Sequence, residues 1–166
     1  MNPGKDKSTG AIAREMTARG QTLAVAESCT GGMLGAAITE TPGASEFFRG
    51  AVIAYHDDVK RQLLKVRREA LEEVGAVSEP VAQQMALGVR AALDADYGIG
   101  ITGIAGPGGA STEKPVGLVF ICVSSEAGDI VCKYNFAGDR DAVRQQAVAT
   151  ALELMQEKLA ADNSTV

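Results

Sequence analysis

The 166-residue chain has no tryptophan, one histidine and three cysteines, and aromatic residues make up only 4% of it. Cys29, Cys122 and Cys132 are odd in number, and none sits in a C-x-x-C or Cys/His cluster. Neither a disulfide framework nor a zinc site is therefore indicated, and reduced thiols and no bound metal are expected. So few aromatics argue against a base-stacking platform. Basic residues are also in deficit: 16 Lys and Arg face 21 Asp and Glu, a net charge of -5. That balance disfavours nucleic acid as a partner, because phosphate-backbone binding needs a basic face. No apolar run approaches the roughly 20 residues needed to span a bilayer. The first ten residues, MNPGKDKSTG, are polar and lead into an amphipathic stretch instead of the apolar core of a secretory signal, so a cytoplasmic protein with no membrane partner is expected.

What is present is a 46% apolar, glycine-rich composition with 19 glycines, enough for one well-buried core in a chain of this length. Ser8 or Thr9 is expected to cap a first helix over about 9–19, with Ile12 and Met16 on one face and Gly20 at its end. TLAVAE (22–27) reads as a buried strand running straight into a helix over 30–40 that stops at Pro42 and Gly43. RGAVIAYH (49–56) is a second strand, followed by a charged helical segment, DDVKRQLLKV. Ser78-Glu79-Pro80 starts a helix with Val81, Met85 and Val89 on one face, ending near Leu93. DYGIGIT (96–102), GLVFICVSS (117–125) and DIVCKYNFA (129–137) complete five strands, and Gly138-Asp139 opens a last helix bearing Val143, Ala147, Ala151 and Leu154. The order predicts a single domain with a three-layer α/β/α sandwich on a mixed, mostly parallel five-stranded sheet with one antiparallel strand.

Four segments carry chemistry. In AESCTGG (26–32) a strand turns into a helix, which sets Ser28 and Cys29 at the carboxyl edge of the sheet, where open α/β folds bind ligands. Backbone N–H groups near Thr30, Gly31 and Gly32, or at Gly103, are expected to face a developing oxyanion, while the plainer reading makes Ser28 a helix N-cap. The base for a serine nucleophile is either His56 or, in YHDDVK, Lys60 with Tyr55 beside it. A neutral Lys60 requires roughly 4 kcal/mol of desolvation or hydrogen bonding, and Asp57 and Asp58 oppose it unless they point away. The plainer reading of Lys60 is a solvated lysine on a charged helix. TGIAGPGGASTEKPVG (102–117) has the length and aperiodicity of a binding loop, containing Thr102, Gly103 and Gly106. A G-x-G-x-x-G string (Gly98, Gly100, Gly103) lies inside the preceding strand and meets Pro107 where a helix should follow, so a dinucleotide fingerprint is rejected; the chain has no P-loop either. In GDRDAVR (138–144), Arg140 and Arg144 share one face of a helix start, where they suit a phosphate or carboxylate, or else pair with Asp139 and Asp141.

AESCTGG, YHDDVK, GAVSEP (75–80), TGIAGPGG with KPVG, and GDRDAVR, in this order over about residues 8–160, together resemble the C-terminal domain of the CinA family. Stand-alone members are nicotinamide-nucleotide amidases; two-domain members carry a further N-terminal molybdopterin-binding-like domain, which is not expected here. The resemblance implies hydrolysis of nicotinamide mononucleotide to nicotinate mononucleotide and ammonia without metal or organic cofactor. By motif position it implies Ser28 as nucleophile, Lys60 as base, Tyr55 as proton relay and His56 as bystander. It further implies a substrate loop beginning at Thr102 and Gly103, and Arg140 or Arg144 on the 5′-phosphate. Members are often dimers, and the helices offer an apolar face for a homodimer. Two readings compete: Cys29 as the nucleophile, its thiol activated by a helix N-terminus, and a non-catalytic nucleotide-binding module linked to competence or the DNA damage response.

Overall fold

Every residue of LAVAE, the first strand, is buried, so this segment must be covered on both sides, and the architecture is built around it. The structure, a computed structural model, describes residues 3–164, with side chains from residue 8 onward. The elements run α1 (Pro3–Arg19), β1 (Leu23–Glu27), α2 (Met33–Thr39), a 3₁₀ turn (Ala44–Glu46), β2 (Phe48–Ile53), α3 (Asp57–Leu64), α4 (Arg68–Glu73), α5 (Glu79–Ala92), β3 (Tyr97–Gly103), β4 (Leu118–Ser125), β5 (Gly128–Asn135) and α6 (Arg140–Asn163).

The five strands form one sheet in the order β2-β1-β3-β4-β5. β1 pairs in parallel with β2 and β3, whereas β4 is antiparallel to both β3 and β5, so β4 alone runs against the other four, as the strand pattern predicted. Along β1 the side chains alternate between faces: Leu23 and Val25 pack with Ile12, Leu34, Val143 and Leu152 from α1, α2 and α6. Ala24 and Ala26 meet Leu64, Ala70, Val81 and Met85 from α3, α4 and α5 on the other face. The chain leaves β1 through α2 on one face to reach β2, then crosses by α3 to α5 on the opposite face to reach β3. β1 is therefore a topological switch point, and a crevice opens at its carboxyl end.

Several boundaries differ from the sequence expectation. α1 begins at Pro3, so Ser8 and Thr9 lie inside it and do not cap it; residues 1 and 2, and the last two of the polar NSTV tail, lie outside the described residues. A proline is well accommodated in the first turn of a helix, where its missing N–H has no intrahelical partner in any case. α2 starts three residues later than predicted, because Ser28 to Gly32 form a turn with Gly31 and Gly32 at φ 58° and 101°. The extra helix α4 was not expected; only Ala70 of it is buried, so no apolar period betrays it. Among the described residues, no helix is long and apolar enough to cross a membrane.

The glycines of β3 have a packing reason. A Cβ at Gly98 would lie 2.2 Å from the Ala86 carbonyl oxygen, and one at Gly100 2.4 Å from that of Ala82, so α5 rests directly on the strand backbone. Gly98→Ala is therefore expected to lower the unfolding free energy by about 1–3 kcal/mol in urea denaturation. Gly108→Ala, where an added Cβ meets nothing within 4 Å, is expected to stay within about 0.5 kcal/mol of the parent.

Candidate active site

Glu27, the last residue of β1, is fully buried. Its Oε2 accepts from the N–H groups of Gly32 and Leu34 at 3.0 and 3.1 Å, and its Oε1 from Gly35 at 2.8 Å. The carboxylate thus caps α2 from the preceding strand, satisfying donors that the start of a helix leaves over and complementing its dipole. The reading of Ser28 as an N-cap is overturned: Gly32 occupies the cap position with no side-chain bond, and the capping oxygens belong to Glu27. The expected oxyanion donors change for the same reason. Gly32 N–H is taken by Glu27 and Gly31 N–H by the Ser28 carbonyl at 3.1 Å, and Thr30 is fully buried with no partner for its hydroxyl. None of Thr30, Gly31 and Gly32 lines the cavity described below.

That cavity, of about 290 Å³, lies at the carboxyl edge of β1 and β3. Ser28, Tyr55, Lys60, Thr102, Gly103, Gly106 and Arg140 all reach it, as do Cys29 and Asp57. Ser28 N–H donates to the Ile101 carbonyl at 3.0 Å, which ties the nucleophile candidate to β3. Lys60, on α3, is 1% exposed, so the reading of a solvated lysine fails. Its Nζ donates to the Tyr55 carbonyl at 3.3 Å and pairs with Asp57 Oδ1 at 3.1 Å. Asp57 does not point away, and no Ser28–Lys60 hydrogen bond is formed. Asp58 turns outward to Arg61, while the His56 imidazole accepts from Asp58 N–H as the cap of α3, a helix-capping role.

Arg140 closes the cavity from the start of α6, donating to the Gly106 carbonyl at 2.7 Å and to the Tyr55 hydroxyl at 3.0 Å. Arg144 lies one turn further along and does not line the cavity: Nε and Nη2 donate to the carbonyls of Cys29 and Thr30 at 3.1 and 3.0 Å. Neither arginine pairs with Asp139, which caps α6, or with Asp141, which accepts from Gln145. Thr102 donates to the Ala76 carbonyl at 2.8 Å, drawing the 75–78 segment over the cavity. Lys114 binds the Val74 carbonyl at the end of α4 and anchors the glycine-rich loop. Ile104 N–H donates to the Leu118 carbonyl, so Gly103, opposite Val119, is a non-hydrogen-bonded position of the β3–β4 ladder. Its N–H is directed to the β1 side, where β1 has already ended at Glu27.

Sequence reasoning missed Glu27 and the pairing role of Asp57. Glu27 carried one signal: a charged residue closing an otherwise apolar strand, which survives burial only when fully partnered.

The chain is similar to known proteins over nearly its whole length. A family model, the CinA C-terminal domain, matches residues 5–159. A CinA-like protein of Thermosynechococcus vestitus is 50% identical over 158 residues, covering 93% of this chain and 38% of the relative. One from Synechococcus sp. (strain CC9902) is 48% identical over 164 residues, covering 96% and 39%. The chain thus spans about two-fifths of the length of the curated relatives it matches. Among solved structures, the competence/damage inducible protein CihA from Agrobacterium tumefaciens superposes with a TM-score of 0.91 at 37% identity, covering 95% of this chain and 96% of that one. A competence-damaged protein (CinA) superfamily protein from Klebsiella pneumoniae 700603 gives 0.91 at 38% identity, covering 96% and 99%.

Cys29 tests the rival nucleophile. Burial pushes its thiol up to about 11, and Glu27 adds to this; a backbone hydrogen bond and the charges of Arg144 and Arg140 pull the other way without prevailing. The thiolate, the reactive form, is therefore scarce at neutral pH and grows only as the pH approaches 11. Iodoacetamide at pH 7.5 is expected to modify Cys29 at least about 100-fold more slowly than a free thiol, as followed by peptide mass mapping.

Proposed function

The chain belongs to the CinA C-terminal domain family, and on that premise we propose that it is an amidase that hydrolyses the carboxamide of nicotinamide mononucleotide to the carboxylate and ammonia. The observation that carries this reading is the convergence of Ser28, Lys60, Tyr55 and Arg140, from three separate segments, on one cavity at the switch point of the sheet. Its volume is at the small end of ligand pockets, which begin near 300 Å³.

In the proposed reaction Ser28 Oγ attacks the amide carbon while Lys60, as the amine, takes its proton. The C–N bond then breaks, Tyr55 delivers a proton to the departing ammonia, and water releases the carboxylate from the acyl-serine. Gly103 N–H, unclaimed by β4, is the proposed oxyanion donor. Arg140 is the proposed phosphate ligand: it borders the cavity and its planar fork suits a phosphate, whereas Arg144 is occupied by backbone carbonyls. A homodimer, as the family resemblance implies, and a cytoplasmic setting complete the proposal.

One observation favours a second reading, a nucleotide-binding module linked to competence or the damage response. Lys60 Nζ is held by Asp57 and the Tyr55 carbonyl and makes no bond to Ser28. Catalytic hydrogen bonds often tighten only in the substrate complex, so this arrangement is also that of a resting enzyme.

Ammonia release from nicotinamide mononucleotide by the purified chain separates the two. Wild type is expected to turn over, Ser28→Ala and Lys60→Ala to lose at least about a thousandfold, and His56→Ala to retain activity. Arg140→Ala is expected to raise KM roughly tenfold to a hundredfold. Tight nucleotide binding with no ammonia from folded wild type would select the binding module.

A further inference from the structure

Besides Lys60, two charges of opposite sign border the candidate active site, and the proposed reaction gives a role to only one of them. Arg140 is assigned to the phosphate, whereas Asp57 has only its contact with Lys60. Among the described residues that line the cavity, Asp57 carries the single acidic side chain. It is the first residue of α3, and its carboxylate is half-exposed where Lys60 is buried.

Asp57 Oδ1 lies 3.1 Å from Lys60 Nζ, and Oδ2 has no hydrogen-bond partner among the described residues. The neighbouring Asp58 is turned outward to Arg61, and it already supplies a negative charge at the start of α3, where the helix dipole favours one. Arg140, the other cation of the lining, is directed to the Gly106 carbonyl and the Tyr55 hydroxyl and forms no ion pair with Asp57. While Lys60 is an ammonium, its charge and that of Asp57 cancel. The proposed nucleophilic step needs Lys60 as the amine, and in that state Asp57 is a negative charge on the cavity wall with no partner of opposite sign. A carboxylate in a partly enclosed site is costly without a counter-charge, so the step is best served by an occupant that is itself a cation.

Nicotinamide mononucleotide meets that requirement through its ring. The carboxamide is bonded directly to a pyridinium, so seating the amide carbon at Ser28 brings the positive charge of the ring into the same cavity of about 290 Å³. Resting on the amidase reading, we propose that Asp57 is the specificity-determining residue of this site: its carboxylate faces the cationic ring and selects it over a neutral ring of the same size. The charges stay matched through the step. The pyridinium faces Asp57 while Lys60 is the amine, and once Lys60 has taken the Ser28 proton its ammonium pairs with Asp57 in the arrangement seen here. Asp57 and Arg140 together then complement the ring and the phosphate of one zwitterionic ligand.

The test compares nicotinamide mononucleotide with its reduced 1,4-dihydro form, which keeps the carboxamide and the phosphate but has an uncharged ring. Binding is measured by isothermal titration calorimetry on the full chain carrying Ser28→Ala, so that neither nucleotide is hydrolysed. The oxidised form is expected to bind at least about tenfold more tightly than the reduced one. Adding Asp57→Asn is expected to bring the two within about twofold of each other by weakening the oxidised form alone, whereas Asp57→Glu keeps the charge and retains a preference of at least about threefold. Arg140→Ala is expected to weaken both forms equally, since both carry the phosphate. Equal binding of the two forms by the Ser28→Ala chain is the result of a Lys60–Asp57 pair that stays closed and neutral in the complex. That result, or a preference that survives Asp57→Asn, would overturn the role of Asp57 and leave the amidase reading standing. No binding of either nucleotide would overturn both the proposal and the amidase reading on which it rests.

Discussion

The three hydrogen bonds from the start of α2 into the Glu27 carboxylate are the interaction on which the site depends. Hydrogen bonds to a charged acceptor contribute about 1.5–3 kcal/mol each, and a carboxylate without them would not tolerate full burial at the end of β1. Because the cap comes from the strand, the intervening residues Ser28 to Gly32 are released from helix geometry and fold as a tight turn. Arg144 grips the other polarity of that turn, the carbonyls of Cys29 and Thr30. With N–H groups held on one side and carbonyls on the other, the turn has little freedom, and Ser28 is presented to the cavity by rigid elements. Gly31 and Gly32 are needed there, since both take left-handed conformations and a Cβ on Gly32 would sit 3.1 Å from Ile53.

Around this turn the site is assembled by cross-links, most of them between segments distant in sequence. Lys60 is tied to the backbone of Tyr55, Tyr55 to Arg140, Arg140 to Gly106, and Thr102 to Ala76. Each link joins the carboxyl end of one strand to another segment, the general geometry of ligand sites at a switch point. The Lys60–Asp57 pair sets a carboxylate against the amine that the proposed reaction uses as its base.

Much of the fold was legible because it rests on periodicity. The spacing of four in Val81, Met85 and Val89 marked the buried face of α5, and the unbroken apolar run of β1 marked a strand covered on both sides. Boundaries at polar ends were less legible: α1 starts at a proline before the Ser and Thr that resemble caps, and α4 shows only one buried residue. For the site, the sequence identified the segments, but not which of two similar residues turns inward. Arg140 and Arg144 sit on one helical face, yet a single turn along α6 separates a cavity-lining residue from a clamp on backbone carbonyls. Gly31 and Gly32 were read as presenting free donors because the groups that take their N–H, the Ser28 carbonyl and the Glu27 carboxylate, are brought to them only by the turn itself.

The central claim is that Ser28 is the nucleophile of an acyl transfer, and rapid-quench mass spectrometry with nicotinamide mononucleotide addresses it most directly. The account predicts an adduct with the mass of the substrate acyl group, located by fragmentation on Ser28, forming no later than the first equivalent of ammonia. Turnover with the adduct on Cys29, or turnover by Ser28→Ala at the wild-type rate, would contradict it.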